Sequence, residues 1–394
     1  MRDVVICAGA RTPMAEYSGT PGFGLLADMS AIELGAHAAK HAIERSKVSP
    51  KRIDHVVMGN ALQTSADAIY GARHVGLKAG VPIETPALTV NRLCGSGIEA
   101  IAQARRLIQL GEASVVLAGG MESMSQAPFC VRGMRSGARF GKPVLFEDLL
   151  FEALKDPYCG LFMAQTAEKL GKQYGISREA QDDFAWRSMQ LGLQATESGL
   201  FKDEVVPIQV KKNTVTRDDH VKPDSTREKL GKLPTAFGPE GTVTAGNASG
   251  IVDGAAAVIV CAEDVAKKEG YPILARIESV ATCGVEPSIM GIGPAPAIRE
   301  ACKKAGVAVE AVDLFEINEA FAAQYLAVEK ELGLDRNKVN VNGGALAIGH
   351  PLGATGTRIT LTLALELVRR GAKFGVASAC IGGGQGIAIG IRAV

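Results

Sequence analysis

Short apolar runs alternate with helix-length amphipathic segments along most of this 394-residue chain. In the first part of the chain the predicted elements are strand 4–8, helix 30–45, strand 56–58, strand 85–90, helix 98–110 and strand 114–118. Regular alternation of this kind is typical of a largely parallel sheet with helices packed against it. The sequence therefore predicts an α/β fold.

The last part of the chain repeats this pattern. A predicted strand at 339–341 is followed by a glycine-rich loop, a helix at 357–370 and a strand at 374–379. When segment 94–97 (CGSG) is aligned with 353–356 (GATG), Gly111 falls within one residue of Gly371, and each glycine follows a predicted helix. Glycine is the usual residue at a helix C-terminus. We interpret this as two similar α/β halves.

Between about residues 121 and 246 the sequence becomes polar and loop-like, with one clear helix after Ser177 as its N-cap. This change predicts an inserted region between the two halves. The predicted division is therefore a first core half at 1–120 plus 247–272, a loop domain at 121–246 and a second core half at 273–394.

Charge and cysteine usage exclude several functional classes. Lys and Arg total 43 against 42 Asp and Glu, so there is no basic excess for nucleic acid. The eight cysteines include no CxxC pair, which predicts neither a metal site nor a disulfide framework. The longest uncharged apolar stretch, 374–391, contains six glycines and predicts two strands around a turn rather than a membrane span. No signal or transit peptide precedes the first strand, so we expect a cytoplasmic protein.

Cys94 is the first candidate for chemistry. It follows a predicted strand and directly precedes a predicted helix. The positive end of a helix dipole lowers the pKa of a thiol, and small residues after the cysteine leave backbone N–H groups free to bind an oxyanion. Cys94 is thus a candidate nucleophile, and the alternative is a buried thiol at a tight turn.

Three other segments add candidate groups. His350 lies among small apolar residues and could be the base for a cysteine nucleophile, or a structural histidine. Cys380 ends another predicted strand before a glycine loop, and Asn318 with Glu319 opens a predicted helix that ends near 332. The alternative for that polar pair is an N-cap and a first-turn acid. Together the four segments suit acyl transfer through a thioester with proton abstraction from carbon, at the carboxyl ends of strands.

Six ordered motifs give this chain a strong resemblance to the thiolase family. They are NRLCGSG (91–97), GGMESMS (119–125), GTVTAGNASG (241–250), NEAFA (318–322), GGALAIGHPLGATG (343–356) and CIGGGQG (380–386). The resemblance covers essentially the whole chain and is closest in motifs to the mitochondrial-type 3-ketoacyl-CoA thiolase branch. It implies a duplicated five-layer αβαβα core with an inserted loop domain, in a homodimer or homotetramer.

The resemblance also implies a ping-pong reaction in which acyl-CoA and acetyl-CoA interconvert with 3-ketoacyl-CoA and CoA, including acetoacetyl-CoA. Cys94 would take the acyl group, His350 would accept its proton, and Cys380 would remove or return the α-proton. One oxyanion hole would use His350 and a water held by Asn318, and the other the backbone N–H groups of Cys94 and Gly382. Coenzyme A and its thioesters would be substrates, with no permanently bound cofactor.

Contacts to coenzyme A carry over from the family to eight positions. They are Leu154, Met163, Lys222, Phe237, Ala245, Ser249, Ala320 and Phe321. Lys222 would lie near the nucleotide end, and its alternative is a solvated surface lysine. Residues 162–165 read FMAQ where acetoacetyl-CoA thiolases commonly have His-Met-Gly, whereas bulky Met290 in the acyl pocket would favour short chains. The chain-length range therefore stays open.

Two other functions compete with this interpretation. A decarboxylating ketosynthase shares the fold class but uses a second histidine where this chain has Asn318. A non-catalytic acyl-CoA or lipid carrier on the same scaffold could lose catalytic residues, yet Cys94, Asn318, His350 and Cys380 are all present.

Overall fold

The structure is a computed structural model that describes residues 2–394. Its strands are β1 (Val4–Arg11), β2 (Ala15–Glu16), β3 (His55–Gly59), β4 (Ala87–Val90), β5 (Val115–Glu122), β6 (Phe129–Cys130), β7 (Glu147–Asp148), β8 (Lys155–Asp156), β9 (Leu161–Phe162), β10 (Ile208–Val210), β11 (Asn213–Val215), β12 (Val252–Ala262), β13 (Ala275–Gly284), β14 (Leu314–Ile317), β15 (Phe374–Ile381) and β16 (Gln385–Ala393). Its α-helices are α1 (Ala31–Ser46), α2 (Gly71–Lys78), α3 (Ser96–Leu110), α4 (Leu149–Ala153), α5 (Met163–Tyr174), α6 (Arg178–Glu197), α7 (Arg227–Gly231), α8 (Glu263–Glu269), α9 (Pro294–Ala305), α10 (Ala322–Leu332), α11 (Ala345–Ile348) and α12 (Leu352–Arg370).

The main sheet has two halves that join in its middle. Its strand order is β4-β3-β5-β12-β1-β13-β16-β15-β14, and β1 pairs with β13 through Val5–Arg276 and Ile6–Ala275. The prediction of a largely parallel sheet is only partly correct. The β3–β4, β3–β5 and β14–β15 pairs are parallel, whereas β1, β12, β13 and β16 pair with their neighbours in antiparallel fashion. The glycine turn between β15 and β16 is too short for a parallel crossover.

Helices complete a five-layer arrangement, which confirms the predicted fold class. Helices α3 and α12 pack on each other between the two half-sheets, where both contact strands of each half. Helices α1 and α2 cover the outer face of the first half-sheet, and α9 and α10 cover the second. Apolar side chains on these helices face the strands and form three main clusters, one between each outer helix layer and its half-sheet and one around α3 and α12.

Some predicted elements differ from those observed. The segment 339–341 is not a strand, because only Val339 forms a bridge, parallel to Phe315. The helix predicted to open at Asn318 begins at Ala322, which makes the N-cap interpretation of Asn318 wrong. Asn318 instead lies in the connection directly after β14, where its backbone N–H donates to the carbonyl of Ser378 over 2.9 Å.

The inserted region is more structured than the sequence indicates. Ser177 caps α6 as predicted, since its side chain accepts from the N–H of Ala180. The charged segment around Lys211 forms the turn of the β10–β11 hairpin, and α7 lies in the stretch expected to be a loop. We propose that the predicted three-part division still applies. The placement of β12 in the first half-sheet and of β13 in the second supports it.

Across residues 2–394, no helix is long and apolar enough to cross a membrane. Within the same range, no group of three or more His, Cys, Asp or Glu side chains is arranged to hold a metal ion.

Candidate active site

Cys94 lies in a single 3₁₀ turn between β4 and α3. Leu93, directly before it, has a left-handed backbone with φ of 46°, which is unusual for a branched residue. Side chains hold this turn: Asn91 accepts from the N–H of Leu93 over 2.9 Å, and the Ser96 hydroxyl donates to the Leu93 carbonyl over 2.7 Å. Strained turns of this kind occur where a side chain must be presented to a ligand.

His350 lies in the turn that leads into α12. The preceding Gly349 has φ of 98°, and a Cβ atom there would lie 2.4 Å from a methyl carbon of Val252. No other residue fits this position, so the glycine fixes the path of the chain. The His350 N–H donates to the carbonyl of Gly250 over 3.0 Å, and its ring Nδ1 lies 2.6 Å from Oγ1 of Thr355.

Asn318 extends from the end of β14 toward the other nitrogen of the same ring. Its Nδ2 atom lies 3.3 Å from Nε2 of His350. Asn340 holds the end of β14, because it accepts from the N–H of Ile317 and donates to the Ile317 carbonyl. The Oδ1 atom of Asn318 is buried and receives no hydrogen bond from residues 2–394, so it can accept one from a ligand.

Cys380 and Gly382 lie where β15 turns toward β16. Cys380 is buried against Met290 and Ala320. The backbone N–H groups of Gly382 and of Cys94 itself are close enough to the Cys94 sulfur to favour its thiolate form. Thus the structure brings together the five residues that the sequence nominates for catalysis, at one end of the two half-sheets.

Burial dominates the electrostatics of this site. It raises the pKa of the Cys94 thiol to about 11, against the opposing effect of the Gly382 N–H. The predicted lowering of this pKa by the α3 dipole is therefore wrong in direction, because desolvation of the thiolate outweighs the dipole. Burial also lowers the pKa of His350 to about 3, and the positive charge of Arg358 acts in the same direction.

The resting site is consequently uncharged, with a neutral thiol beside a neutral imidazole. Burial likewise raises the pKa of Cys380 well above its usual range, and a negative charge on Cys94 raises it further. A thiol of this kind needs a neighbouring base in order to act as a nucleophile near neutral pH.

An apolar cavity of about 200 Å³ opens beside Cys94 and His350. Seven predicted ligand contacts line it: Leu154, Met163, Phe237, Ser249, Met290, Ala320 and Phe321. Lys222 and Ala245 are not among its lining residues. The ammonium group of Lys222 lies 3.8 Å from the Glu16 carboxylate and over the ring of Phe23, and Ala245 is exposed to solvent.

The cavity wall also contains residues that sequence reasoning did not nominate. They are Met124, Phe151, Phe162, Ala164, Ala248, Gly250, Ile251 and Leu352. Phe162 occupies the position of the missing histidine. Its ring packs at a tilt between those of Phe151 and Phe237, with centroid distances of 4.5 and 5.5 Å. The difference from the family motif at residue 162 was a sequence signal for Phe162, whereas no local sequence signal pointed to Phe151.

Models of the thiolase N-terminal domain and the thiolase C-terminal domain match residues 4–264 and 271–393. This chain belongs to the thiolase family. It is 54% identical over 393 residues to mitochondrial 3-ketoacyl-CoA thiolase from Homo sapiens, covering 99% of this chain and 98% of that protein. It is 45% identical over 394 residues to acetyl-CoA acetyltransferase from Pseudomonas aeruginosa, covering 99% of each.

A crystal structure of human mitochondrial 3-ketoacyl-CoA thiolase in complex with CoA matches this thiolase with a TM-score of 0.97 and 54% identity. The match covers 100% of this chain and 98% of the human one. Members of this family are CoA-dependent acyltransferases that use CoA as a substrate rather than as a resident cofactor, and this thiolase is an enzyme of that class. The predicted family, fold and enzyme class are confirmed.

The expectation of a cytoplasmic protein is wrong by the same comparisons. Relatives that are 51–54% identical to this thiolase are mitochondrial enzymes. The expectation rested only on the start of β1 directly after the first residues. That pattern locates the first strand and carries no information about the compartment.

Proposed function

We propose that this thiolase interconverts acyl-CoA plus acetyl-CoA with 3-ketoacyl-CoA plus CoA through an acyl-enzyme on Cys94. The observation that carries the proposal is the meeting of Cys94 and His350 at one apolar cavity, with the Gly382 N–H close to the Cys94 sulfur. A nucleophile, a base and an oxyanion donor around one apolar space meet the needs of thioester exchange.

In the first half-reaction, Nε2 of His350 accepts the Cys94 proton while the sulfur attacks the thioester carbon. The carbon–sulfur bond to CoA then breaks, and the departing CoA sulfur takes the proton of the Cys380 thiol, which becomes a thiolate. Because the pKa of the resting thiol is about 11, transfer to the base has to accompany attack. The backbone N–H groups of Cys94 and Gly382 stabilise one oxyanion, and His350 with a water held by Asn318 stabilises the other.

In the second half-reaction, Cys380 as thiolate removes a proton from the methyl carbon of acetyl-CoA. The resulting carbanion attacks the acyl carbon on Cys94, the carbon–sulfur bond breaks, and the Cys94 sulfur takes its proton back from Nε2 of His350. Cys380 keeps the α-proton, so Cys94, His350 and Cys380 all return to their neutral resting forms.

Thiolysis of acetoacetyl-CoA by purified variants tests this division of labour. Cys94→Ser should lose thiolysis and acyl-enzyme formation together, whereas Cys380→Ser should still accept an acyl group from acetyl-CoA yet form no carbon–carbon bond. Cys283→Ser, a half-buried thiol on β13, is the matched control and should retain wild-type rates. Loss of acylation in Cys380→Ser, or an active Cys94→Ser enzyme, would contradict the assignment.

We propose that Met290 forms the inner wall of the acyl pocket. Its side chain is buried against Cys380 and lines the cavity, as does Phe162 at the position of the missing histidine. Thiolysis rates for substrates of four to twelve carbons should shift toward longer chains in Met290→Ala. An unchanged chain-length profile in that variant would remove Met290 as the wall.

The predicted contacts to coenzyme A divide into two groups. We propose that the six in the cavity (Leu154, Met163, Phe237, Ser249, Ala320 and Phe321) bind the mostly uncharged pantetheine arm, whose character their apolar surface matches. Lys222 and Ala245 remain candidates for the nucleotide end. Lys222→Ala should raise KM for CoA with little change in kcat, and an unchanged KM would leave Lys222 a solvated surface residue.

We propose that this thiolase is a homodimer or homotetramer. Strand β4 is an edge of the main sheet and carries the exposed Leu88, and the exposed Ile83 lies just before it in the chain. Edge strands with apolar side chains pair readily with a second copy. Sedimentation velocity should give a dimer or tetramer for wild type and a smaller species for Leu88→Lys, whereas a monomeric wild type would contradict the proposal.

A further inference from the structure

Thr355, one turn into α12, contacts the base of the proposed mechanism. Its Oγ1 atom lies 2.6 Å from Nδ1 of His350 and 3.0 Å from the carbonyl oxygen of Pro351. Thr355 is fully buried, and His350 is 6% exposed. The hydroxyl is therefore a hydrogen-bond partner of the ring without competition from bulk solvent.

The number of hydrogen bonds that this hydroxyl can form favours one tautomer of the His350 ring. A threonine hydroxyl has a single hydrogen, and donation to the carbonyl four residues earlier is a common arrangement in helices. If the Thr355 hydroxyl donates to Pro351, its oxygen accepts from an N–H at Nδ1, and two hydrogen bonds form. If it donates to Nδ1 instead, the contact with Pro351 has no hydrogen, and only one forms. The first arrangement is favoured because buried polar groups are normally paired.

The opposite side of the ring agrees with this arrangement. Nε2 of His350 lies 3.3 Å from the amide nitrogen of Asn318, which can donate a hydrogen to a lone pair there. The nearby positive charge of Arg358 opposes double protonation of the ring. A neutral ring carries one proton, so the nitrogen that carries it decides whether Nε2 can act as a base.

We propose that Thr355 is a positioning residue that holds His350 in the tautomer protonated at Nδ1, so that Nε2 keeps the lone pair that accepts the Cys94 proton. When the Cys94 S–H bond breaks and the Nε2–H bond forms, the Thr355 oxygen also stabilises the imidazolium through the Nδ1–H bond. This inference rests on the proposed role of His350 as the base.

Three variants in one helix test the inference. Thr355→Val removes the hydroxyl at nearly constant volume, and Thr355→Ser keeps it. Thr360→Val is the control, because it removes a similar buried hydrogen bond, from the Thr360 hydroxyl to the Gly356 carbonyl over 2.7 Å. In Thr355→Val, kcat for acetoacetyl-CoA thiolysis and the rate of Cys94 alkylation by iodoacetamide should each fall about tenfold to a hundredfold, the range known for residues that orient metal-bound histidines. KM should change little. Thr355→Ser and Thr360→Val should both stay close to wild type.

The outcomes separate this inference from the proposed function. Equal losses in Thr355→Val and Thr360→Val, or an undiminished alkylation rate in Thr355→Val, would overturn the role of Thr355 while leaving an active thiolase. A wild-type protein without thiolase activity would instead overturn the proposed function. If Thr355→Val fails to fold, ¹⁵N spectra of histidine-labelled wild type, assigned with His350→Gln, decide the matter. A protonated Nδ1 supports the inference, and a protonated Nε2 contradicts it.

Discussion

Substitution of Gly97 by alanine should damage both stability and catalysis, because Gly97 lies where α3 and α12 cross. A Cβ atom on Gly97 would lie 2.3 Å from the backbone nitrogen of Thr357 and 2.8 Å from its hydroxyl oxygen. A Cβ atom on Gly356 would meet α3 just as closely from the other side, 2.4 Å from the nitrogen of Ile98. Backbone atoms cannot turn aside as a flexible side chain can, so the two helices have to separate.

The magnitude follows from these distances. Real Cβ atoms essentially never come within 3.0 Å of other atoms, so α3 and α12 must move apart by about 1 Å. Overpacking of a core costs about 1–3 kcal/mol, and the lower chain entropy of alanine offsets up to about 1 kcal/mol of this. We expect a net destabilisation of about 2 kcal/mol. Because Cys94 lies in the turn directly before α3 and His350 lies directly before α12, a 1 Å displacement should also lower kcat about a hundredfold.

Urea unfolding and acetoacetyl-CoA thiolysis measure the two effects. Gly231→Ala is the matched control, since Gly231 is also helical but a Cβ atom there has no neighbour within 4 Å. That variant should be neutral or slightly more stable than wild type, with unchanged kcat. A Gly97→Ala enzyme as stable and active as the control would refute the close crossing of these helices.

Three other predictions concern the charges around the site. Glu122 accepts four hydrogen bonds, from the N–H groups of Ala61, Leu62 and Gly353 and the side chain of Asn60. In Glu122→Gln the NH₂ group of glutamine replaces a carboxylate oxygen that accepts two of these hydrogen bonds, and it cannot accept them. The free energy of unfolding should fall by about 1–3 kcal/mol in chemical denaturation, and an unchanged midpoint would contradict this. Burial raises the pKa of Glu122 to about 7 from 4.5, so its contribution to stability is full below pH 4.5 and is lost as pH rises through 7. The slope of unfolding free energy against pH in that window should be smaller in Glu122→Gln, and an equal slope would argue against the shift. Alkylation of Cys94 should keep accelerating toward pH 11 without a step at the ordinary histidine pKa; a step near pH 6.5 that disappears only in His350→Gln would show that the ring titrates normally.

Local sequence patterns predicted most of the elements that hold the site. The apolar periodicity of α1 and α3 and the glycines that follow α3 and α12 gave boundaries within a few residues of those observed. These features depend on residues that are close in sequence, and the sequence alone therefore predicts them. The N-cap interpretation of Asn318 was wrong because an alternative partner, the end of β15, lies 60 residues away in sequence.

The electrostatic state of the site could not be read in this way. The α3 dipole is a local property and predicted a lowered pKa for Cys94, but the desolvation that raises it comes from both halves of the fold. Thr355 was likewise not nominated, since a threonine inside a glycine-rich motif is ordinary until its distance from the His350 ring is known. Phe162 was noticed only as a departure from a family motif.

The most direct test of the account is the mass of the intact protein after brief exposure to acetyl-CoA. Wild type and Cys380→Ser should each gain one acetyl group, which peptide mapping should locate on Cys94, and Cys94→Ser should gain none. An acetyl group that persists in Cys94→Ser, or that maps to Cys380 in wild type, would contradict the assignment of Cys94 as the nucleophile.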